Sequence, residues 1–157
     1  MNYRIREANL SDYNQINQLA VQLYQLHFKN RSDIFNDTEM CFTHENFKMD
    51  LFDENSKIIV CEVNDTIIGY TFFKYITQKK SLLCKERHLI SIYDFVVDKN
   101  YRNLGIGKII HQKIVDFANE KKCHIIELDV WFFNQNAIHF YDKLGYLKKN
   151  MKMELYI

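Results

Sequence analysis

The chain has 157 residues, the length of one ordinary domain, with 47% hydrophobic and 26% charged residues and a net charge of +1. That balance excludes a strong field for nucleic acid or for an anionic membrane surface. No apolar run approaches the ~20 residues that a membrane-spanning helix needs.

Tyr3 and Ile5 alternate with polar neighbours and predict a short first strand. Ser11 and Asp12 supply helix-capping chemistry, and Ile16, Leu19, Ala20, Leu23 and Leu26 then recur at helical spacing. A polar connection over 30–36 follows, and Phe42, Phe47, Leu51 and Phe52 predict a second helix from near Thr43. Residues 57–63 and 66–75 read as two strands around the turn Asn64-Asp65, a hairpin. Residues 78–86 are polar and read as loop, with Lys79, Lys80, Lys85 and Arg87 as a solvated basic cluster. Leu89–Val97 is a strand whose alternation breaks around Tyr93-Asp94-Phe95. Ile106, Ile109, Ile110, Ile114, Phe117 and Ala118 form one stripe of a helix. His124–Trp131 reads as a strand, Asn134–Leu144 as a short helix stopped by Gly145, and Tyr146–Leu155 as a final strand.

No repeat, low-complexity tract or linker interrupts this order, so residues 1–157 are expected to form a single domain. The class is α+β, a mixed sheet with helices on both faces. The segment Ile90–Trp131 is a βαβ unit with parallel strands. Cys41, Cys61, Cys84 and Cys123 form no C-x-x-C pair and no metal-ligand spacing, and the first ten residues have no apolar core. Free thiols, a cytoplasmic location and no bound metal are the expectations.

The chain has only four glycines, and two of them, Gly105 and Gly107, stand where a polar loop enters a helix. The first amides of a helix lack partners, point outward and carry the positive end of its dipole, which is a setting for an anion. Arg102 and Lys108 add charge. A Walker A loop would need glycine at Arg102 and Ser or Thr at Ile109; the dinucleotide fingerprint would need glycine at Ile110. By itself the Gly-x-Gly also fits a tight strand-to-helix turn.

Arg102-x-x-Gly105-x-Gly107 resembles the pyrophosphate loop of the GNAT superfamily of acetyltransferases. Asn134-x-x-Ala137-x-x-x-Tyr141-x-x-x-Gly145-Tyr146 resembles the family's segment after its last parallel strand. The order of elements agrees over nearly the whole chain. Two departures are Asn103, where a glycine is usual, and Tyr146, where phenylalanine is commoner.

The resemblance implies a GNAT-like fold with a central parallel βαβ unit that binds acyl-CoA. It implies acetyl-CoA as acyl donor and a primary amine of a small molecule or peptide as acceptor. Phe95, Val96 and Val97 would offer backbone bonds to the pantetheine arm. Arg102, Asn103, Leu104, Gly105, Ile106, Gly107 and Lys108 would cradle the pyrophosphate. Asn134 would touch the pantetheine, Ala137 would leave room for it, and Tyr141 would face the thioester sulfur. No nucleic-acid or membrane partner is implied, and a homodimer is a possible assembly. The alternative is a non-catalytic acyl-CoA sensor or regulatory protein of the same fold.

An alkyl amine of pKa ~10.4 is only about 0.04% neutral at pH 7, so its proton must be helped away. Asp94 is the candidate for base, water relay or electrostatic capture of an ammonium, against the alternative of a solvent-facing strand residue. Tyr141 is the candidate acid for the departing thiolate. Glu127 and Asp129, on one strand face with Trp131, could line the acceptor side or sit exposed at the edge. Residues 30–50 and 77–87 are expected to shape the acceptor site. No cysteine has a paired histidine in a known motif, so direct attack by the amine is expected rather than an acyl-enzyme.

Overall fold

The computed structural model describes residues 2–157. Arg4–Glu7 is strand β1. A 3-10 turn over Leu10–Asp12 leads into helix α1, Tyr13–Asn30. The turn is closed by Asn9, which accepts from the Ser11 amide and donates its own amide to Asp12 Oδ2 at 2.8 Å. Helix α2 is His44–Phe52, with Thr43 accepting from the Asn46 amide. Strands β2 (Ser56–Val63), β3 (Thr66–Gln78) and β4 (Arg87–Val97) form an antiparallel meander. Asn64 and Asp65 both have positive φ, 48° and 61°, as a two-residue hairpin turn requires. Helix α3 is Ile106–Glu120, strand β5 Ile126–Leu128 and helix α4 Gln135–Lys143. No described helix is long and apolar enough to cross a membrane.

The five strands lie in sequence order, with β5 parallel to β4 and every other pair antiparallel. One face carries α1 and α2, which bury Ile16, Leu19, Ala20 and Phe47 against Ile58, Val60, Tyr70, Phe72 and Val96. The other carries α3, which buries Ile110, Ile114 and Ala118 against Phe73, Ile90, Ile92 and Ile68. Arg6 ties the first strand to both the 3-10 turn and β2. It donates to Asp12 at 2.7 and 2.9 Å and to Glu62 at 2.9 Å, and both carboxylates are almost fully buried.

Two boundaries differ from the sequence reading. The strand expected over His124–Trp131 is three residues long, because only Ile126, Glu127 and Leu128 pair with β4. The strand expected over Tyr146–Leu155 is not formed. The segment touches the body through side chains, Lys149 to Glu127 and Glu154 and Tyr156 to Arg31 and Asp33. Without a backbone ladder its alternation leaves Met151, Met153 and Leu155 exposed.

Gly69 is a feature the sequence reading passed over. A Cβ there would lie 2.9 Å from the Val96 carbonyl oxygen and 2.9 Å from Ile110 Cδ1. The absent side chain is what lets α3 settle on β3 and β4. Gly69→Ala is therefore expected to cost about 2 kcal/mol through overpacking against backbone. In thermal unfolding followed by circular dichroism that is a drop of roughly 4–8 °C. An unchanged midpoint would mean that α3 can retreat without loss.

Candidate active site

The site begins at an interruption in the sheet. Phe72 pairs with Asp94 but Phe73 pairs with Ile92, so Tyr93 is an extra residue, a bulge in β4. The bulge coincides with the end of the β4–β5 ladder, whose last pair is Ile92 with Leu128. Beyond it the β5-facing backbone of Tyr93–Val97 has no strand partner among the described residues. The gap opens at the carboxyl ends of two parallel strands, where ligands of α/β sheets commonly bind.

The bulge also turns the Asp94 side chain inward. Asp94 is 5% exposed, which removes the solvent-facing alternative. The Tyr70 hydroxyl donates to its Oδ2 at 3.0 Å, and the Thr71 hydroxyl donates to its backbone carbonyl at 2.9 Å. Burial pushes the Asp94 carboxyl up to about 6, with Asp50 adding to the rise and the Tyr70 bond opposing it. The same field reaches Tyr24 on α1 and Cys41 before α2. The Tyr24 phenol is pushed up to about 12 and the Cys41 thiol to about 11, in both mainly by burial and further by Asp94. Asp94 thus looks toward α1 and the segment before α2, with Asp50 held by Lys74 at 2.9 Å nearby.

Of the stretches expected to shape the acceptor side, 30–50 reaches this neighbourhood through Cys41 and Asp50. The loop 79–86 does not. It lies six residues of β3 beyond Phe72, roughly 20 Å along the hairpin. Glu127 is engaged by Lys149 at 2.7 Å and Arg87 at 3.3 Å, and Asp129 is exposed.

The phosphate-loop candidates lie together at the start of α3. Asn103 and Gly105 have φ of 62° and 82°, so the loop makes two left-handed turns between Arg102 and the helix. Gly105 is the N-cap and supplies no side-chain cap, which leaves the first-turn amides of α3, from Ile106 on, without that partner. A Cβ on Gly105 would meet nothing within 4 Å, so its side faces open space. Leu104 and Lys108 are exposed and Ile106 is buried as the anchor of the helix. Arg102 is exposed and its Nε donates to the Val97 carbonyl at 3.1 Å, which closes the loop and occupies one of the backbone groups expected for pantetheine. This loop of amides and cations fits an anionic diphosphate. Gly107 also serves packing: a Cβ there would lie 3.1 Å from the Phe140 ring on α4.

Helix α4 brings the last group. Asn134 caps it by accepting from the Ala137 amide at 3.2 Å, so its carbonyl oxygen holds the helix start. Tyr141 is 9% exposed, packed edge-on against Phe95 and Tyr146 at 6.2 and 5.2 Å between ring centroids. Tyr146 shares a 2.9 Å hydrogen bond with His111, whereas the Tyr141 hydroxyl has no partner among the described residues. Burial raises the Tyr141 phenol well above its usual range, with Tyr146 adding to the rise. Phe95 links these parts: it follows Asp94 past the end of the β4–β5 ladder, its ring is edge-on to Tyr141, and a Cβ on Gly107 at the start of α3 would lie 3.7 Å from it. His111 and Tyr70, which the sequence reading did not single out, prove to be the polar partners of Tyr146 and Asp94. Among the described residues no three of His, Cys, Asp and Glu cluster as a metal site.

Comparison with known proteins identifies the family and the fold. The sequence model of the acetyltransferase (GNAT) family matches residues 14–146. An uncharacterized N-acetyltransferase of Methanocaldococcus jannaschii is 29% identical over 107 residues, 67% of this chain and 45% of that protein. A glucosamine 6-phosphate N-acetyltransferase of Trypanosoma brucei brucei is 33% identical over 64 residues, 41% of this chain and 42% of its own. The chain thus matches less than half the length of these relatives. The crystal structure of a tetramutant of the BH1408 protein from Bacillus halodurans is 31% identical, with a TM-score of 0.94 over 98% of this chain and 99% of that one.

Proposed function

This chain belongs to the acetyltransferase (GNAT) family, and we propose that it transfers an acetyl group from acetyl-CoA to the primary amine of a small molecule or peptide by direct attack. The observation that carries this reading is Phe95, which adjoins the buried Asp94 and packs against both Tyr141 and the uncapped start of α3, so that a carboxylate, a phenol and helix amides lie around the end of the β4–β5 ladder. Acetyl-CoA supplies the thioester. Its diphosphate would lie on the amides from Asn103 to Lys108 with Arg102 and Lys108 beside it. Its pantetheine would run along the free backbone edge of Phe95–Val97, bounded by Asn134 and Ala137.

In this reading Asp94 holds the incoming ammonium and takes its proton, directly or through a water. The amine nitrogen then bonds to the thioester carbonyl carbon, sheds its second proton to solvent, and the carbon–sulfur bond breaks. Tyr141 gives its proton to the departing thiolate, so the products are an amide and a free thiol and both protein groups are reset by solvent. Each group suits its task. A carboxyl near 6 is ionised at neutral pH and still basic enough to accept a proton. A buried phenol stays protonated until charge develops beside it. Holding amine and thioester in line contributes at least as much as either group.

Calorimetric titration with acetyl-CoA tests the donor site. Micromolar binding is expected for the native chain, and an Arg102→Ala, Gly105→Val variant should bind at least tenfold more weakly, about 1.4 kcal/mol. No binding by the native chain would sink the reading. Binding without thiol release on any amine would favour an acyl-CoA sensor.

A further inference from the structure

Next to Asp94 lies an aromatic surface that the acetyl-transfer reading does not use. Tyr24 and His27 on α1, Phe35 after it, and Trp131 and Phe133 after β5 form one cluster. Their ring centroids are separated by 5.0 Å for His27 and Phe35, 5.5 Å for Tyr24 and His27, 5.5 Å for Phe35 and Trp131, and 5.7 Å for His27 and Phe133. None is fully buried and none fully exposed, so each keeps some ring surface open. Chain geometry brings the cluster close to the end of the β4–β5 ladder. The β4–β5 ladder ends at Ile92 and Leu128, Asp94 stands two residues further along one strand and Trp131 three residues further along the other chain. Tyr24 joins the two regions, with its phenol in the field of Asp94 and its ring edge-on to His27.

Beyond the Tyr24 hydroxyl and the Trp131 indole N–H, the polar inventory of this wall is short. Arg31 stacks over Trp131 at 5.3 Å but is already bound by Asp33, Glu154 and Tyr156. Nδ1 of His27 is buried and has no hydrogen-bond partner among the described residues. A sugar ring laid here would find few groups for its hydroxyls, and each hydroxyl buried unpaired is disfavoured. A flat apolar ring would find aromatic faces and edges at stacking distance.

Resting on the acetyl-transfer reading, we propose that the acceptor is an arylalkylamine. Its ammonium is held at Asp94 and its aromatic ring lies on the wall of Tyr24, Phe35 and Trp131. The wall selects the acceptor, and the loop at α3 selects the donor.

Trp131 is the only tryptophan in the sequence, so its fluorescence reports this surface with no need for turnover. The protein would be titrated with 2-phenylethylamine, n-butylamine and glucosamine. Half-saturation for phenylethylamine is expected at a concentration at least about tenfold below the other two. Phe35→Ala should remove that advantage and leave acetyl-CoA binding unchanged; Phe35→Leu, which keeps bulk without the π face, should do the same if the alanine variant melts early. Equal half-saturation for the aryl and alkyl amines would overturn the proposal, as would tighter binding of glucosamine. A loss of acetyl-CoA affinity in the Phe35 variants would assign the wall to the donor instead. Ring-dependent binding with no acetyl transfer would leave the wall standing and defeat the enzymatic reading alone.

Discussion

Asp94→Asn is expected to make the protein more stable and far less active. The activity loss should be roughly 10²- to 10⁴-fold in kcat/KM at neutral pH, the usual range for removal of a general base. In the native protein kcat/KM should rise with pH along a limb centred near 6, where Asp94 loses its proton, and the variant should lack that limb. The stability change has the opposite sign. The folded-state value of about 6 lies above the ordinary 3.8, so the folded chain binds this proton more tightly than the unfolded chain does. Stability therefore falls as pH rises through that window, and the penalty is complete above it. Neutral asparagine removes the penalty while its carbonyl oxygen can still accept from Tyr70. The gain at pH 7.5 should be about 3 kcal/mol at most, roughly 6–12 °C in midpoint for a chain this size. It should vanish near pH 4. Thermal melts at the two pH values decide the matter: a variant less stable than the native chain at pH 7.5 would mean that Asp94 is buried as a structural residue.

Tyr141→Phe should lower kcat about a hundredfold and change acetyl-CoA affinity little. The ring packs on Phe95, Phe140 and Tyr146, and phenylalanine keeps all three contacts. The hydroxyl has no protein partner to lose, so the fold should tolerate its removal. The loss should be largest for the thioester donor, whose thiolate is the group to be protonated. A Tyr146→Phe variant serves as the internal comparison. That hydroxyl is engaged by His111, so its removal should cost some stability and little rate. Equal losses of rate in the two variants would remove Tyr141 from its assigned role and leave it as packing.

The two motifs were legible in the sequence because each rests on local chemistry. Gly105 needs a left-handed φ at a strand-to-helix turn, and only a few residue types supply it. Asn134 and Gly145 begin and end α4 by local capping, and the pattern shows both. The bulge was visible as a break in alternation at Tyr93–Phe95, without a hint of its consequence. Gly69 gave no signal, because its role depends on Ile110 and the Val96 carbonyl, which are distant in the chain. The final strand was overcalled for the complementary reason. Residues 146–155 alternate as a strand does, but alternation supplies only a face, and a strand also needs a neighbour with a matching backbone edge.

Periodicity and turn chemistry by themselves determined the α+β class, the order of elements as far as α4 and the placement of the phosphate-loop candidates, because these follow from residues a few positions apart. Tertiary structure alone decided that Asp94 is buried and meets Tyr70, that the Tyr141 hydroxyl is left unpartnered while His111 takes Tyr146, and that rings from α1 and from the chain after β5 share one surface. Burial, pKa and ring stacking arise between groups that the chain brings together across dozens of residues, and no local pattern records which of them will meet.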